Sequence, residues 1–386
     1  MNSSHLPPGV SPIVAPLKRT LPPAARTVLV VVLLYLFLVG VKLLGTGVTG
    51  LGGGTAGGLF DGITNPIAAL SVGILATVLV QSSSVTTATI VGLVAAGQLP
   101  IEVAVPMVMG ANIGTSVTNT LVSLAHARRT DEFRLALSAA TMHDFFNVAA
   151  VLILLPLELA TGFLQKTAAW LSALLPGGAD ATFNSPIKGA VGWGSNQFER
   201  VIEIFVSSGR ALGIALIITG IVIIFLTLTY ITKNMRVLIA ARIERSLNAV
   251  LAKSGLVGIA VGIVVTVAVQ SSSITTSILV PIVASGVLLV RNAYPITLGA
   301  NVGTTVTAIL AALAIGEVAG MTIALVHLLF NVVAILILYP WNKIRYIPVR
   351  LAEGLAAIAA TRKWIAVAYT VIVFIAIPIV GIVIFS

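Results

Sequence analysis

Two short runs hold the residues whose types and spacing can do chemistry. Gln81, Ser82, Ser83 and Ser84, followed by Thr86, lie in "VQSSSVTTATIVGLVAAG" (80–97); Gln270, Ser271, Ser272 and Ser273, followed by Thr275, lie in "VQSSSITTSILVPIVASG" (269–286). Both runs sit in apolar sequence, where polar groups must find partners or a wet cavity. Neutral hydroxyl and amide oxygens suit a hard cation such as Na+, while N–H and O–H groups suit an anion. "GANIGTSVT" (110–118) and "GANVGTTVT" (299–307) add Asn112, Thr115, Ser116 and Thr118, then Asn301, Thr304, Thr305 and Thr307, with glycines that permit unwinding. No arginine lies inside these blocks, so an anion there is held by neutral dipoles and co-bound cations. The chain has no cysteine and no His/carboxylate spacing for zinc or iron. The serines have no adjacent base and there is no phosphate loop, so catalysis is not expected, and neither is a cofactor. The metal expected is Na+, with oxygen ligands from these blocks.

The blocks are paired by an internal repeat. Residues 80–97 match 269–286 at 11 of 18 positions, 110–118 match 299–307 at 7 of 9, and "HDFFNVAAVLILLP" (143–156) matches "HLLFNVVAILILYP" (327–340) at 9 of 14. The first two pairs share an offset of 189 and the third has 184, so the order is collinear.

The elements that must position these residues are membrane helices. Hydrophobic residues make up 58% of the 386 and charged ones only 9%, far below the roughly 25% of soluble domains. Apolar runs such as 28–44, 212–232 and 364–385 approach or exceed the roughly 20 residues a span needs, so the fold class is an all-α membrane protein. The spacing predicts seven spans, at about 27–45, 102–125, 135–158, 210–232, 291–315, 317–341 and 364–385. Re-entrant hairpins at 65–97 and 256–287 break at the QSSS residues. The net charge of +10 lies in short loops, where it sets orientation rather than binding nucleic acid. Placing the N-terminus in the cytoplasm puts 17 of 22 basic residues inside, the two repeats then run antiparallel, and the final span ends extracytoplasmically. The domains read as a disordered tail (1–21), repeat 1 (22–160), an extracytoplasmic loop (161–209), repeat 2 with basic amphipathic segments on the inner leaflet (210–363) and a last span (364–386). Inverted repeats with broken helices meeting at mid-membrane are the pattern of secondary transporters.

The doubled QSSS, the doubled GANxGT, "HDFFNVAAVLILLPLELATGFL" and "RNAYPITLGANVGTTVTAILAAL" resemble the type II sodium-phosphate cotransporters and their bacterial relatives, from about Leu33 to the last span. The resemblance implies sodium-driven uptake of inorganic phosphate across the plasma membrane, with QSSS residues contacting substrate and sodium. Electrogenic vertebrate members carry a further acidic sodium-site residue, for which Asp131 and Glu132 are the nearest matches here.

Other signals have plainer readings. "GTGVTG" (45–50) fits a dinucleotide pattern but follows a span rather than a strand, and reads as a flexible outer linker. His143 and Asp144 lie within a span; interhelical hydrogen bonding with Asn147 and Asn331 is one reading, and a proton or sodium role for Asp144 the other. Glu102 and Arg291 read as interfacial anchors, with Arg291 also placed to attract phosphate or gate. Asp144 and Arg291 are therefore accessory candidates. The rival functions are a coupled carrier of sulfate, arsenate or a small carboxylate, and an ion channel lined by the same hydroxyls.

Overall fold

The computed structural model describes residues 22–51, 63–174, 186–206, 209–250 and 255–386, and no β-strand forms among them. The expected tail over 1–21 and most of the connection at 175–185 lie outside the described residues. Seven segments are long and apolar enough to cross a membrane: Ala24–Gly50, Ile101–Leu124, Thr130–Thr161, Arg210–Asn234, Val290–Ile315, Val318–Leu338 and Trp364–Phe385. They fall where the apolar runs place them. In chain order the helices are α1 (Pro23–Gly50), α2 (Pro66–Val80), α3 (Ser83–Ala95), α4 (Ile101–Gly114), α5 (Val117–Leu124), α6 (Thr130–Thr161), α7 (Phe163–Ala173), α8 (Pro186–Phe205), α9 (Arg210–Val250), α10 (Gly255–Val269), α11 (Ser272–Ala284), α12 (Val290–Ile315), α13 (Val318–Leu338) and α14 (Ile347–Thr361). The last span is helical from Trp364 to Phe385, with one π-helical turn at Ile372–Ala376 that directs Phe374 into the core.

The spans that carry the GAN blocks are central. In Ile101–Leu124 and Val290–Ile315 the most apolar stretch is 78% and 72% buried, against 33% in Arg210–Asn234 and 22% in Trp364–Phe385. Outward residues of the peripheral spans, such as Ile218, Phe225, Ile372 and Val383, are exposed and apolar, the surface a bilayer requires. Lipid is as apolar as leucine, so burial alone does not draw such helices together; close van der Waals packing does. Glycines provide it. A Cβ added at Gly73 would stand 2.0 Å from the Met107 carbonyl oxygen, and one at Gly110 would stand 2.0 Å from that of Leu70. In the second half, Gly262 and Gly299 meet the Ile296 and Ile259 oxygens, again at 2.0 Å. Each first hairpin arm (α2, α10) is thereby pressed backbone-to-backbone against its GAN span (α4, α12), at positions 189 apart.

Two expectations change. "GTGVTG" is no linker: α1 stays helical to Gly50, and a Cβ at Gly47 would stand 2.7 Å from the Gly213 oxygen. Its glycines let α1 and α9 cross antiparallel, with Gly220 facing Gly40 one contact further on. The basic segments differ as well. The first continues α9 as one helix of 41 residues, about 60 Å long at 1.5 Å per residue. The second, α14, has Ala356 and Ala359 buried with Phe133 and Leu137 of α6 and Ala352 buried in the main core, leaving Leu351 and Ile358 exposed. A protein surface, rather than lipid, thus covers part of the face expected on the leaflet.

The packing predicts a position-specific sensitivity. Gly110→Ala and Gly299→Ala should each destabilise by the roughly 1–3 kcal/mol of overpacking or more. Gly92→Ala, whose nearest atom beyond its own helix is 3.5 Å away, should not. Thermal unfolding in detergent compares the three, and equal melting temperatures would contradict the seam.

Candidate functional site

Each QSSS run is a helix break of the same construction. Gln81 and Gln270 both have φ of 57° and are the only non-glycine residues with positive φ among the described residues. Left-handed backbone stops the incoming arm, and the next residue is extended: Ser82 at φ −153° and Ser271 at −157°. The serine then caps the outgoing helix, its Oγ accepting from Val85 N at 3.3 Å and from Ile274 N at 3.4 Å respectively. The glutamine side chain folds back to hold the break. Gln81 Nε2 donates to the Val78 carbonyl and Gln270 Nε2 to that of Val267, both at 2.6 Å. Their Oε1 atoms accept from Thr118 at 3.0 Å and from Thr307 at 2.9 Å. The last threonine of each GAN block therefore secures the glutamine of its own half.

The two breaks converge. Ser84 Oγ of the first half lies 3.5 Å from the backbone oxygen of Gln270 in the second. Gln81, Ser82, Thr118, Gln270, Ser271 and Ser273 line one cavity of about 430 Å³ with Thr229, Thr232 and Lys233 of α9. It opens at the end of the bundle where α1 begins, since Arg26 reaches Asn234 there at 3.5 Å. At the opposite end Gly50, Gly92 and Glu317 line a separate cavity of about 450 Å³. Other candidates sit behind the breaks. Ser83, Ser84, Thr86, Ser272 and Thr275 are buried in the first turns of α3 and α11, with Thr266 donating to Thr275 at 2.8 Å. Thr115 and Thr304 donate to the carbonyls of Ala111 and Ala300, in their own helices.

The asparagines join a buried network that the spacing only partly signalled. Asn147 Nδ2 donates to the Asn112 carbonyl at 2.9 Å, and Asn301 Nδ2 donates to Asn147 Oδ1 at 2.8 Å. His143 Nε2 lies 2.5 Å from Asn301 Oδ1. A second tie between the halves was not anticipated: Asn119 Oδ1 accepts from Thr276 and Ser277, each at 2.9 Å. The counterparts in the second half are not so engaged. Both ring nitrogens of His327 lack a hydrogen-bond partner among the described residues, as does Asn331 Oδ1.

The GAN blocks also differ. The first is interrupted between α4 and α5 by a two-residue turn at Thr115–Ser116, whose backbone stays right-handed, whereas Thr304–Thr305 stay helical inside α12, so the unwinding that the glycines permit is not taken up there. The turn faces a carboxylate. Asp144 is fully buried beside Ser116; its Oδ2 accepts from Tyr369 at 3.0 Å, and its Oδ1 has no partner among the described residues. The second half has Leu328 at the matching position. At the start of α6, by contrast, Asp131 is exposed and Glu132 is half-buried and paired to Arg129 at 2.6 Å. Arg291 is exposed and stacks 5.4 Å from the Tyr346 ring centre, outside the cavity lining. Glu102 accepts from Gln165 at 3.1 Å.

Residues 36–171 and 223–359 match the family described as Na+/Pi-cotransporter. This chain belongs to that family. Each matched portion contains one QSSS break, one GAN block and one histidine-bearing span. Among similar relatives is sodium-dependent phosphate transport protein 2A, at 34% identity, from Rattus norvegicus (89% of this chain, 65% of the relative) and from Oryctolagus cuniculus (94% and 68%). The 2B protein of Homo sapiens is 32% identical, over 92% of this chain and 64% of its own. The chain thus spans about two thirds of the length of these relatives. No solved structure matches it. The family portions meet at the shared cavity, and the sequence between them supplies the first part of α9.

The left-handed glutamine gives a graded test. Gln81→Gly keeps the turn while removing the Thr118 partner, and Gln81→Val adds a β-branched residue at positive φ, a strain of roughly 1–2 kcal/mol. The valine variant should melt below the glycine variant in detergent. The reverse order would show that the turn is not what the position requires.

Proposed function

We propose that this chain carries inorganic phosphate into the cell together with Na+, across the plasma membrane, by alternating access of two inverted repeats. The observation that carries the reading is the single cavity lined by both QSSS breaks. The names of the relatives, sodium-dependent phosphate transport proteins, supply the substrate pair. At each break the first N–H groups of the outgoing helix have no intrahelical acceptor and favour an anion, while the final carbonyls of the incoming helix favour a cation. Each ligand neutralises the other there, so binding of one strengthens binding of the other, as symport requires.

Asp144 is the anionic ligand for Na+ in this reading. It has an unpartnered oxygen beside the opened turn at Ser116, and a buried carboxylate inside a membrane span calls for a cation. With the N-terminus cytoplasmic, the cavity opens inward and the final residue lies outside. The repeats run 22–160 and 210–363, joined through 161–209 and followed by the span at 364–386. The unequal halves support alternation. The His143–Asn301–Asn147 linkage is made and its counterpart at His327 and Asn331 is not. Exchanging the two arrangements closes the inner cavity and opens the outer one.

Proteoliposomes with an inward Na+ gradient should accumulate labelled phosphate, and replacing Na+ by K+ or choline should abolish it. Ser82→Ala and Ser273→Ala, which line the cavity from the two breaks, should each reduce uptake at least about tenfold, the loss of a charge-assisted hydrogen bond. Uptake that is equal without sodium, or parent-like in both variants, defeats the proposal. Asp144→Asn should raise the sodium concentration needed for half-maximal uptake by about tenfold or more on the same scale; an unchanged sodium requirement would remove Asp144 from the cation site.

A further inference from the structure

The hydrogens of the QSSS cavity are largely committed elsewhere. Gln81 and Gln270 each direct an Nε2 hydrogen to a carbonyl of the incoming helix, and the Thr118 hydroxyl donates to Gln81. Thr229 and Thr232 donate to the carbonyls of Phe225 and Leu228, at 2.7 and 2.6 Å. What these groups turn toward the cavity is mostly lone pairs, which suit a cation. An oxyanion requires donors. Lys233 is the one cationic side chain lining the cavity. It comes from α9, outside both QSSS and GAN blocks. It is exposed at the mouth and has no carboxylate partner within 4 Å among the described residues. A lysine ammonium is a compact charge with three donors on a flexible stem, able to follow a small anion over several ångströms.

We infer that Lys233 forms an anion subsite at the open end of the cavity, where phosphate is held between the serine hydroxyls of the two breaks and the aqueous phase. This rests on the transport reading above and deepens it. The breaks supply fixed dipoles at the closed end, and α9 supplies a mobile charge at the open end. The subsite governs phosphate affinity on the side to which this cavity opens. Sodium is held by oxygens deeper in the molecule, so Lys233 acts on its requirement only through the coupling to phosphate.

The chain contains no cysteine, so a single one at this position can be modified alone. In proteoliposomes, labelled-phosphate exchange is measured against graded inorganic phosphate on the face bearing the open cavity, for the parent, Lys233→Met, Lys233→Arg and Lys233→Cys. Lys233→Met should need roughly tenfold more phosphate for half-maximal exchange, the loss of one charge-assisted contact. Lys233→Arg should stay within about threefold of the parent, as the charge is retained. At saturating phosphate the half-saturating sodium concentration should be unchanged in both. Lys233→Cys should behave like the methionine variant and regain phosphate affinity with an aminoethyl thiosulfonate, which restores an ammonium, and not with a neutral one. A parent that exchanges phosphate while Lys233→Met is unaltered overturns the subsite alone. Equal loss in the arginine and methionine variants without rescue by the aminoethyl group also overturns it. A parent that moves no phosphate overturns the transport reading with it.

Discussion

The interruption of each apolar helix at a glutamine depends on one local interaction set. A left-handed residue ends one helix, the following serine caps the next, and a threonine from the neighbouring span pins the glutamine side chain. Non-helical backbone in apolar surroundings persists only where its polar groups are satisfied or line a cavity. Here the incoming carbonyls, the outgoing N–H groups and the glutamine amide satisfy one another in part, and the remainder opens into shared space. Were Gln81 or Gln270 helical, the arms would join into an ordinary apolar helix and present no polar tip.

The duplication sets where the breaks meet. Within each half, glycine contacts lock the incoming arm to the GAN span, so the break has a fixed position relative to its threonine. Between the halves α1 and α9 form a further glycine seam, whereas around the breaks the links are polar: Ser84 with Gln270, Asn119 with Thr276 and Ser277, and Asn147 with Asn301. The halves share a backbone design and differ in charge. Asp144 and the opened turn at Thr115–Ser116 occur in the first, while Leu328 and an unbroken helix occupy the second. Symmetry of form thus coexists with a buried carboxylate on one side only.

Much of this was legible in the residues. Apolar run lengths located the seven spans, and the polar QSSS runs marked where each remaining apolar stretch divides into two short helices. Three features were not legible, each for a physical reason. "GTGVTG" looks like a linker because glycine is read by its conformational freedom, whereas here its lack of a side chain lets α1 meet α9. The opened turn at Ser116 has a nearly identical counterpart at Thr305, so the local sequence carries no warning of the difference; the nearby carboxylate comes from another helix. Lys233 reads as one of several basic residues at a membrane boundary, and only the tertiary arrangement brings it to the polar tips.

The glycine seams have a mechanical consequence. Two helices whose backbones touch without intervening side chains have no rotamers to rearrange, so such a pair behaves as a stiff beam. The joints around the two breaks are made of hydroxyls and amides, groups that trade one partner for another over short displacements. Rigidity is therefore concentrated in the arm–GAN pairs and along α1 and α9, and compliance where the two breaks meet, the distribution by which a sliding bearing differs from a spring.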